Sequence, residues 1–233
     1  MNDNARPAPE AEAIALGAHF FIDGRWVEPA AAEPLDVTDP STGRVFARIA
    51  GGNAADVDAA VAAARRAFES FSLTSREERL DLLTRILEAY RRRADELAHV
   101  LSREMGVALG YAKAFQVPYG ARHIEAAIAV LRDYPFERLE GTTLVRKDAI
   151  GVCGLITPWN WPLNQIACKV APALAAGCTV VLKPSELSPF NALLFARVMQ
   201  EAGTPPGVFN LVNGTGPAVG AAMASHPGID MMS

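Results

Sequence analysis

The side chain best suited to catalysis in this sequence is the carboxamide of Asn160. It lies between Trp159 and Trp161 in the segment 157–162, whose prolines restrict the backbone. A carboxamide held in this way can donate a hydrogen bond to an oxygen that becomes negatively charged during a reaction, and removing such a donor costs about 10²- to 10³-fold in rate. On the residues alone, the simpler interpretation is an aromatic turn whose asparagine caps the following helix.

A second polar segment, 183–188, pairs an ammonium with a carboxylate. Lys183 and Glu186 follow an apolar run directly, so the two side chains could bind both hydroxyls of a ribose, one as donor and the other as acceptor. A carboxylate that faces the 2′ position would repel a 2′-phosphate, which favours NAD over NADP. The alternative is a salt-bridged turn at the surface, and the spacing alone does not choose between the two.

A third segment, 213–217, is rich in glycine. Gly214, Gly216 and Gly220 give the pattern G-x-G-x-x-x-G, which lets a backbone approach a ligand closely where a helix begins. The pattern follows the third strand of its unit rather than the first, so it is a weak dinucleotide fingerprint. Glycines that a turn requires are the simpler interpretation.

These three segments are positioned by a regular alternation of short apolar runs and helical stretches that begins at Gly151. Such runs predict parallel strands that are covered by helices on both faces and joined by right-handed crossovers. A doubly wound α/β sheet of this kind binds ligands at the carboxyl ends of its strands, where all three segments fall. The predicted strands cover 152–156, 179–182, 208–212 and a last run from 229, and the predicted helices cover 163–176, 189–202 and 217–225.

The residues before Gly151 predict hairpins followed by helices. Turn residues predict hairpins at 20–27 and 37–49. Asn53 and Ser75 are predicted N-caps, and the helix that begins at Ser75 is expected to continue to Gly106. The arginines at 91–93 are expected on the solvated face of that helix. A further helix is predicted at 117–131. The β-branched residues at 139–149 predict a strand.

Composition limits the classes of partner. The chain has 233 residues, 50% of them hydrophobic, and a formal net charge of −4, so it can bury a core but offers no wide basic field to nucleic acid or anionic lipid. Its three cysteines lack metal-ligand spacing, which argues against a zinc site and favours the cytoplasm. No apolar run reaches the roughly 20 residues of a membrane span, and the start lacks signal-peptide features. We therefore expect no metal, no nucleic acid and no membrane association.

Taken together, the three polar segments resemble the aldehyde dehydrogenase superfamily in order and spacing. The resemblance rests on GVCGLITPWNWP at 151–162, KVAPALAAGCTVVLKPSE at 169–186 and EAGTPPGVFNLVNG at 201–214. Weaker matches, DGRW at 23–26 and DPSTG at 39–43, extend it over the chain from about residue 20. With three ordered motifs, the functional interpretation of each segment is preferred to the structural one.

The resemblance implies a Rossmann-like cofactor domain and a role for each matched residue. Asn160 matches the asparagine that stabilises the oxyanion in this family. Trp161 and Gln165 fall where the substrate tunnel is lined, so they are candidates for substrate specificity. The residues implied to bind or line the cofactor are Ile156, Thr157, Trp159, Lys183, Ser185, Glu186 and Gly216.

The resemblance also implies a division of the chain. Residues 1–19 are expected to form a flexible arm, and 20–135 together with 150–233 the cofactor-binding domain. The excursion at 136–149 resembles the hairpin through which family members form homodimers or homotetramers.

The implied function is oxidation of an aldehyde to a carboxylic acid, with hydride transfer to NAD(P)+ through a cysteine thiohemiacetal. The family's nucleophilic cysteine and general-base glutamate belong to motifs that do not occur before Ser233, and Cys153, Cys168 and Cys178 match core positions. The chain is therefore expected to be a part truncated before the catalytic domain, and inactive alone. The alternative is a naturally truncated, non-catalytic protein that binds a nucleotide or another subunit.

Overall fold

A computed structural model of the chain describes residues 10–31 and 33–233. Its N-terminal part contains a short helix, α1 (Ala11–Leu16), and two antiparallel hairpins. The first joins β1 (Phe20–Ile22) to β2 (Arg25–Val27), and the second joins β3 (Glu33–Asp39) to β4 (Arg44–Gly51). In the first turn, Asp23 and Gly24 both have positive φ, as a tight hairpin requires. Both predicted hairpins are confirmed.

Helix α1 lies within the flexible arm expected at 1–19. Ala13 is fully buried, and Glu12 forms a salt bridge of 3.0 Å with Arg93. Residues 10–19 therefore pack against the rest of the protein instead of extending as an arm, because the apolar face of α1 covers part of the core. The remaining residues of the expected arm, 1–9, lie outside the described residues.

Helices follow the hairpins. Helix α2 (Ala54–Phe71) begins after Asn53, and α3 (Arg76–Arg92) begins after Ser75. Each helix starts with a capping box: the side chain of the N-cap residue and the acidic side chain three residues later each accept a hydrogen bond from the other residue's backbone amide. Helix α4 (Ala94–Met105) ends at Gly106, in the left-handed conformation common at helix ends. After α5 (Leu109–Tyr111), a π-helical turn (Ala112–Gln116) leads into α6 (Val117–Asp133). The predicted N-caps and the stop at Gly106 are confirmed.

The single helix predicted between Ser75 and Gly106 is wrong, because Arg93 interrupts it. Arg93 leaves helical geometry and separates α3 from α4. Its side chain is only 14% exposed, and its guanidinium forms salt bridges with Glu12, Glu96 and Glu201. The prediction that the arginines at 91–93 lie on a solvated face is therefore correct for Arg91 and Arg92, which are exposed, and wrong for Arg93.

The excursion between α6 and the alternating unit contains a separate hairpin. Strands β5 (Glu137–Glu140) and β6 (Thr143–Arg146) pair only with each other among the described strands. Nearly all of their residues are exposed. This exposed two-stranded sheet falls inside the segment 136–149 predicted as an excursion.

The alternating unit forms the main sheet. Its strands are β7 (Val152–Ile156), β8 (Thr179–Lys183), β9 (Phe209–Leu211) and β10 (Met231–Met232). Its helices are α7 (Pro162–Ala175), α8 (Phe190–Glu201) and α9 (Ala221–Ser225), the last preceded by a π-helical turn at Gly216–Gly220. The spatial order is β10-β7-β8-β9-β1-β2, parallel from β10 to β9 and antiparallel at β1 and β2. The predicted parallel unit is confirmed, and β1 and β2 extend it into a mixed sheet.

Successive residues of these strands face two apolar layers. Val152 and Val181 pack with α2 on one face, whereas Cys153 and Leu182 pack with α7 and α8 on the other. Because β10 lies on the opposite side of β7 from β8, the chain changes direction across the sheet at β7. In doubly wound sheets this switch point is where a ligand crevice forms, outside the carboxyl ends of the strands. In the described residues, no helix combines the length and hydropathy needed to cross a membrane.

Candidate functional site

The three polar segments meet at the carboxyl edge of the parallel strands. The amide of Thr157 donates to the carbonyl of Lys183 at 3.1 Å, which holds the first segment beside the second. A Cβ placed on Gly220 would lie 3.6 Å from Ile156 and 3.7 Å from the Lys183 side chain, so the third segment packs against both. The sheet therefore brings together residues that the sequence analysis assigned to one cofactor site.

Asn160 lies on the loop between β7 and α7 with its side chain exposed to solvent. The N-cap of α7 is Trp161, and within the described part of the chain no side-chain hydrogen bond caps this helix. The interpretation of Asn160 as a helix cap is therefore wrong. The asparagine carboxamide forms no hydrogen bond with the described residues of the chain, so its donor and acceptor atoms are available to a ligand.

Lys183 is the last residue of β8, and its side chain is only 3% exposed. Its ammonium donates to the carbonyl of Pro184 at 3.0 Å and to Oε2 of Glu186 at 3.2 Å. The Glu186 side chain is 36% exposed. A salt bridge does form, as the structural alternative required, but the ammonium is buried and does not belong to a surface turn. Because an ammonium has three N–H donors, one remains for a ligand.

The other residues of the first two segments are placed around this pair. The hydroxyl of Ser185 is half-buried and accepts from the amide of Leu187 at 3.2 Å. Ile156 is half-buried at the end of β7, and the indole of Trp159 is 53% exposed. Thr157 is buried, and its hydroxyl has no partner in the part of the chain that the structure describes.

The glycines of the third segment have different surroundings. Gly214 has a φ of +157°, and a Cβ on it would lie 2.4 Å from Val219, so a side chain there is excluded by the fold itself. Gly216 is exposed, and no atom of the described residues outside its immediate chain neighbours lies within 4 Å of the position of a Cβ. The space in front of Gly216 is therefore open, as the approach of a ligand to the backbone requires. Thr215 caps this turn by accepting from the amide of Ala218 at 3.3 Å.

The sequence analysis missed a polar group behind this segment. Asn213 follows β9 and is 1% exposed, and neither atom of its carboxamide has a partner among residues 10–31 and 33–233. Its only sequence signal is its place directly after a predicted strand, a place that Lys183 and Thr157 share. Buried amides without partners are rare, so Asn213 is a second polar group at this edge of the sheet.

An aromatic surface beside Asn160 was also missed. The indole of Trp161 packs edge-on against Tyr119, with ring centroids 5.6 Å apart, and lies 6.2 Å from Tyr111. Phe115 stacks on Tyr111 at 4.8 Å. The spacing of four residues from Tyr111 to Phe115 to Tyr119 was the available signal, since it places three aromatic rings on one side of a helix. Gln165, one turn beyond Trp161 on α7, is half-buried.

Comparison with known proteins establishes the family. A sequence model described as "Aldehyde dehydrogenase family" matches residues 26–233, nearly the whole chain. The chain belongs to the aldehyde dehydrogenase family. The resemblance inferred from the three motifs is thereby confirmed.

Two aldehyde dehydrogenases of known structure and one curated relative illustrate the likeness. The 3-succinoylsemialdehyde-pyridine dehydrogenase of a Pseudomonas species is 54% identical over 215 residues, which cover 92% of this chain and 45% of that protein. A mutant of aldehyde dehydrogenase C from Pseudomonas syringae, solved with NAD+ and octanal, is 56% identical with a TM-score of 0.92, over 94% of this chain and 45% of the other. A mutant betaine aldehyde dehydrogenase from Staphylococcus aureus, solved with NAD+, is 32% identical with a TM-score of 0.88. This match covers 93% of this chain and 45% of the other. The chain thus spans about 45% of the length of these aldehyde dehydrogenases.

Among the described residues, no group of three histidine, cysteine or acidic side chains is arranged to hold a metal ion. Cys153 and Cys178 are buried, Cys168 is half-buried, and all three are free thiols.

Proposed function

We propose that this chain is the N-terminal, cofactor-binding part of an NAD-dependent aldehyde dehydrogenase that oxidises an aldehyde to a carboxylic acid in the cytoplasm. The observation that carries the proposal is the exposed Asn160 carboxamide, which no described residue binds, on a loop hydrogen-bonded to the strand end that carries Lys183 and Glu186. Relatives of 56% and 32% identity were solved with NAD+. The chain spans about 45% of their length, so the remainder of a longer protein supplies the nucleophilic thiolate and the general base.

Lys183 and Glu186 bind the adenosine ribose in this proposal. The buried ammonium keeps one N–H for a ribose hydroxyl, while the exposed carboxylate accepts from the 2′-hydroxyl. A 2′-phosphate would place a second negative charge beside Glu186, so NAD is preferred to NADP. Ile156, Thr157, Trp159, Ser185 and Gly216 complete the cofactor surface. When bound, the nicotinamide supplies the acceptor for the hydride that leaves the substrate carbon.

Asn160 is the proposed catalytic residue of this chain. A thiolate that adds to the aldehyde carbon converts the carbonyl oxygen to an oxyanion, and the side-chain N–H of Asn160 donates a hydrogen bond to it. The short loop between β7 and the proline at the start of α7 restricts the backbone that carries this side chain.

Trp161 and Gln165 line the proposed substrate site. The contacts of Trp161 with Tyr111 and Tyr119 make the surface next to Asn160 aromatic, which favours an apolar group on the aldehyde. Octanal, bound to the relative that is 56% identical, is an aldehyde of this kind.

The hairpin of β5 and β6 is the proposed contact between subunits of a homodimer or homotetramer. Leu139 and Leu144 are directly paired and are 71% and 61% exposed, and an isolated two-stranded sheet is marginally stable without a partner. Light scattering that showed only monomers of the longer protein would contradict this assignment.

The cofactor assignment can be tested on this chain by the fluorescence of bound NADH. We expect saturable binding, and Lys183→Met should raise the dissociation constant by about tenfold because it removes a charged donor to the ribose. Lys147→Met, on the exposed hairpin, is the matched control and should leave the constant unchanged. Absence of NADH binding by the folded wild-type chain would contradict the proposal.

A further inference from the structure

Four aromatic side chains form a continuous surface beside the loop that carries Asn160. Trp161, the next residue in the chain, packs edge-on against Tyr119 with ring centroids 5.6 Å apart. Trp161 also packs edge-on against Tyr111 at 6.2 Å, and Phe115 lies 4.8 Å from Tyr111. Each of the four rings therefore contacts at least one other ring of the set, which we call the aromatic wall.

The rings of the aromatic wall remain partly open. Tyr111, Phe115 and Tyr119 are 43%, 47% and 37% exposed, and Trp161 is half-buried. The guanidinium of Arg122 lies over the Tyr119 ring at 5.0 Å from its centroid, which restricts the orientation of that ring. A cluster of exposed apolar side chains is typical of a binding surface, and its continuity with Trp161 connects this one to the proposed substrate site.

A π-helical turn keeps three of the rings on one side of their helix. Tyr111, Phe115 and Tyr119 are spaced by four residues, and an α-helix rotates roughly 40° beyond a full turn over each such step. The π-helical turn Ala112–Gln116 lies between the first and third rings and includes Phe115. Because a π-helical turn holds more residues than an α-helical turn, it offsets part of this rotation, and such turns occur frequently at functional sites.

The backbone behind the aromatic wall is closely packed. Gly120 follows Tyr119 in α6, and a Cβ on Gly120 would collide with the hydroxyl of Tyr90 and lie 3.4 Å from the carbonyl oxygen of Leu163. The missing side chain thus allows α6 to lie tightly against α3 and α7. The buried hydroxyl of Tyr90 donates to the carbonyl of Val117 at 2.8 Å, which links α3 to the first turn of α6. A ligand would therefore meet rings whose backbone is already ordered, which lowers the entropic cost of binding.

We propose that the aromatic wall selects aldehydes that carry an aromatic ring over aldehydes that carry a saturated ring on the same carbon skeleton. This inference rests on the proposed function, in which Asn160 binds the oxyanion and Trp161 lines the substrate site. Aromatic rings attract each other edge-to-face or offset-stacked, and each such pair is worth about two- to tenfold in affinity beyond the area that it buries. A saturated ring buries a similar area but has no aromatic quadrupole, so it lacks this additional attraction.

The experiment compares 3-phenylpropanal with 3-cyclohexylpropanal as substrates of a longer protein that contains the nucleophile. We expect the wild-type kcat/KM to favour the phenyl compound by about tenfold. Phe115→Leu and Tyr119→Leu keep an apolar side chain and remove a ring, so each should lower this ratio by about threefold. The loss should appear mainly in KM, because the wall contacts a part of the substrate remote from the reacting carbon. Tyr134→Leu, at a tyrosine that follows α6 outside the wall, is the control and should leave the ratio unchanged.

Octanal, assayed in parallel, separates failure of this inference from failure of the proposed function. Oxidation of octanal together with a phenyl-to-cyclohexyl ratio of one or below would overturn the inference and leave the proposed function standing. The same conclusion would follow if Tyr134→Leu lowered the ratio as much as the two wall variants. If other parts of the longer protein cover the wall, Phe115→Leu and Tyr119→Leu should lower the unfolding temperature without changing the ratio, which also overturns the inference. Oxidation of none of the three aldehydes would contradict the proposed function itself, and the inference with it. If one leucine variant fails to fold, the wild-type ratio and the other variant decide.

Discussion

The ammonium of Lys183 and the carboxylate of Glu186 lie 3.2 Å apart at the end of β8, with the ammonium buried and the carboxylate partly exposed. This arrangement differs from an ordinary surface salt bridge, in which both groups keep most of their hydration. Burial holds the cation in place, so the position of the carboxylate relative to the sheet is also restricted. A ligand at this edge would meet a fixed donor and, beside it, a negative charge.

Replacing Glu186 tests whether that charge selects the cofactor. Glu186→Gln keeps the size of the side chain and removes its charge, so we expect the ratio of NADPH to NADH affinity to rise by about tenfold, or about 1.4 kcal/mol. Competitive fluorescence titrations of this chain measure the ratio. Glu88→Gln, on the exposed face of α3, is the control. An unchanged ratio in Glu186→Gln would remove the electrostatic argument for NAD.

Asn160→Ala tests the oxyanion assignment in a longer protein that contains the nucleophile. Loss of the side-chain donor should lower kcat by about 10²-fold or more, because its hydrogen bond strengthens only as charge develops. NADH affinity should stay within twofold or so of the wild-type value, since the carboxamide is not assigned to the ribose. Asn164→Ala is the matched control, because Asn164 lies one turn further along the chain and contacts His123 instead. Normal turnover in Asn160→Ala would contradict the assignment.

Alanine substitutions at Gly214 and Gly216 distinguish an effect on the stability of the fold from an effect on NADH binding. Gly214→Ala should lower the unfolding temperature, because its Cβ would clash with Val219 at a φ that disfavours side chains. Gly216→Ala should leave the unfolding temperature unchanged, since the position of the Cβ is open. It should nevertheless weaken NADH binding if Gly216 lies against the adenosine. Thermal scans and NADH titrations of both variants provide the comparison, and unchanged NADH binding by Gly216→Ala would exclude that residue from the site.

Glu104 predicts a pH dependence of stability. It is fully buried and accepts hydrogen bonds from the side chain and amide of Asn191 and the amide of Phe190. Burial raises the pKa of Glu104 from its ordinary value of 4.5 to about 7, although these hydrogen bonds act in the opposite direction. The folded state therefore binds a proton that the unfolded state releases between these two values.

The sign of the effect follows from this difference. The stabilisation that the folded state gains from protonated Glu104 is fully present below about pH 4.5 and is lost as the pH rises through about 7. The free energy of unfolding should therefore fall over this range by up to about 3 kcal/mol. Urea denaturation at pH 5 and pH 8 measures it. Glu104→Gln does not titrate and should show a smaller difference between the two pH values than Glu88→Gln. Equal differences in the two variants would contradict the assignment.

Elements that depend on neighbouring residues were predictable from the sequence. The bounds of β7 were predicted correctly at 152–156, because its apolar run is short and is limited by Gly151 and Thr157. The N-caps at Asn53 and Ser75 were predictable because the cap and its acidic partner are only three residues apart. The convergence of the loop residues at one edge followed from parallel pairing, in which all carboxyl ends lie on the same side.

Elements that depend on distant contacts were not predictable. The break at Arg93 is stabilised by Glu12 and Glu201, which are far from it in sequence. The exposure of Asn160 also had no signal, because a helix cap and an unbonded carboxamide require the same residue type. The buried amide of Asn213, which has no partner among the residues that the structure describes, follows from packing around β9 and not from any motif.

The pairing of β1 with β9 has a consequence for synthesis of the protein. Phe21 is aligned with Leu211, so β1 is synthesised well before its neighbour in the sheet. Until then, the buried residues of β1 remain exposed to water or to chaperones. The pairing of β1 with β9 can therefore form only after β9 has been synthesised, and a nascent chain stalled before that point would carry an unprotected, aggregation-prone hairpin.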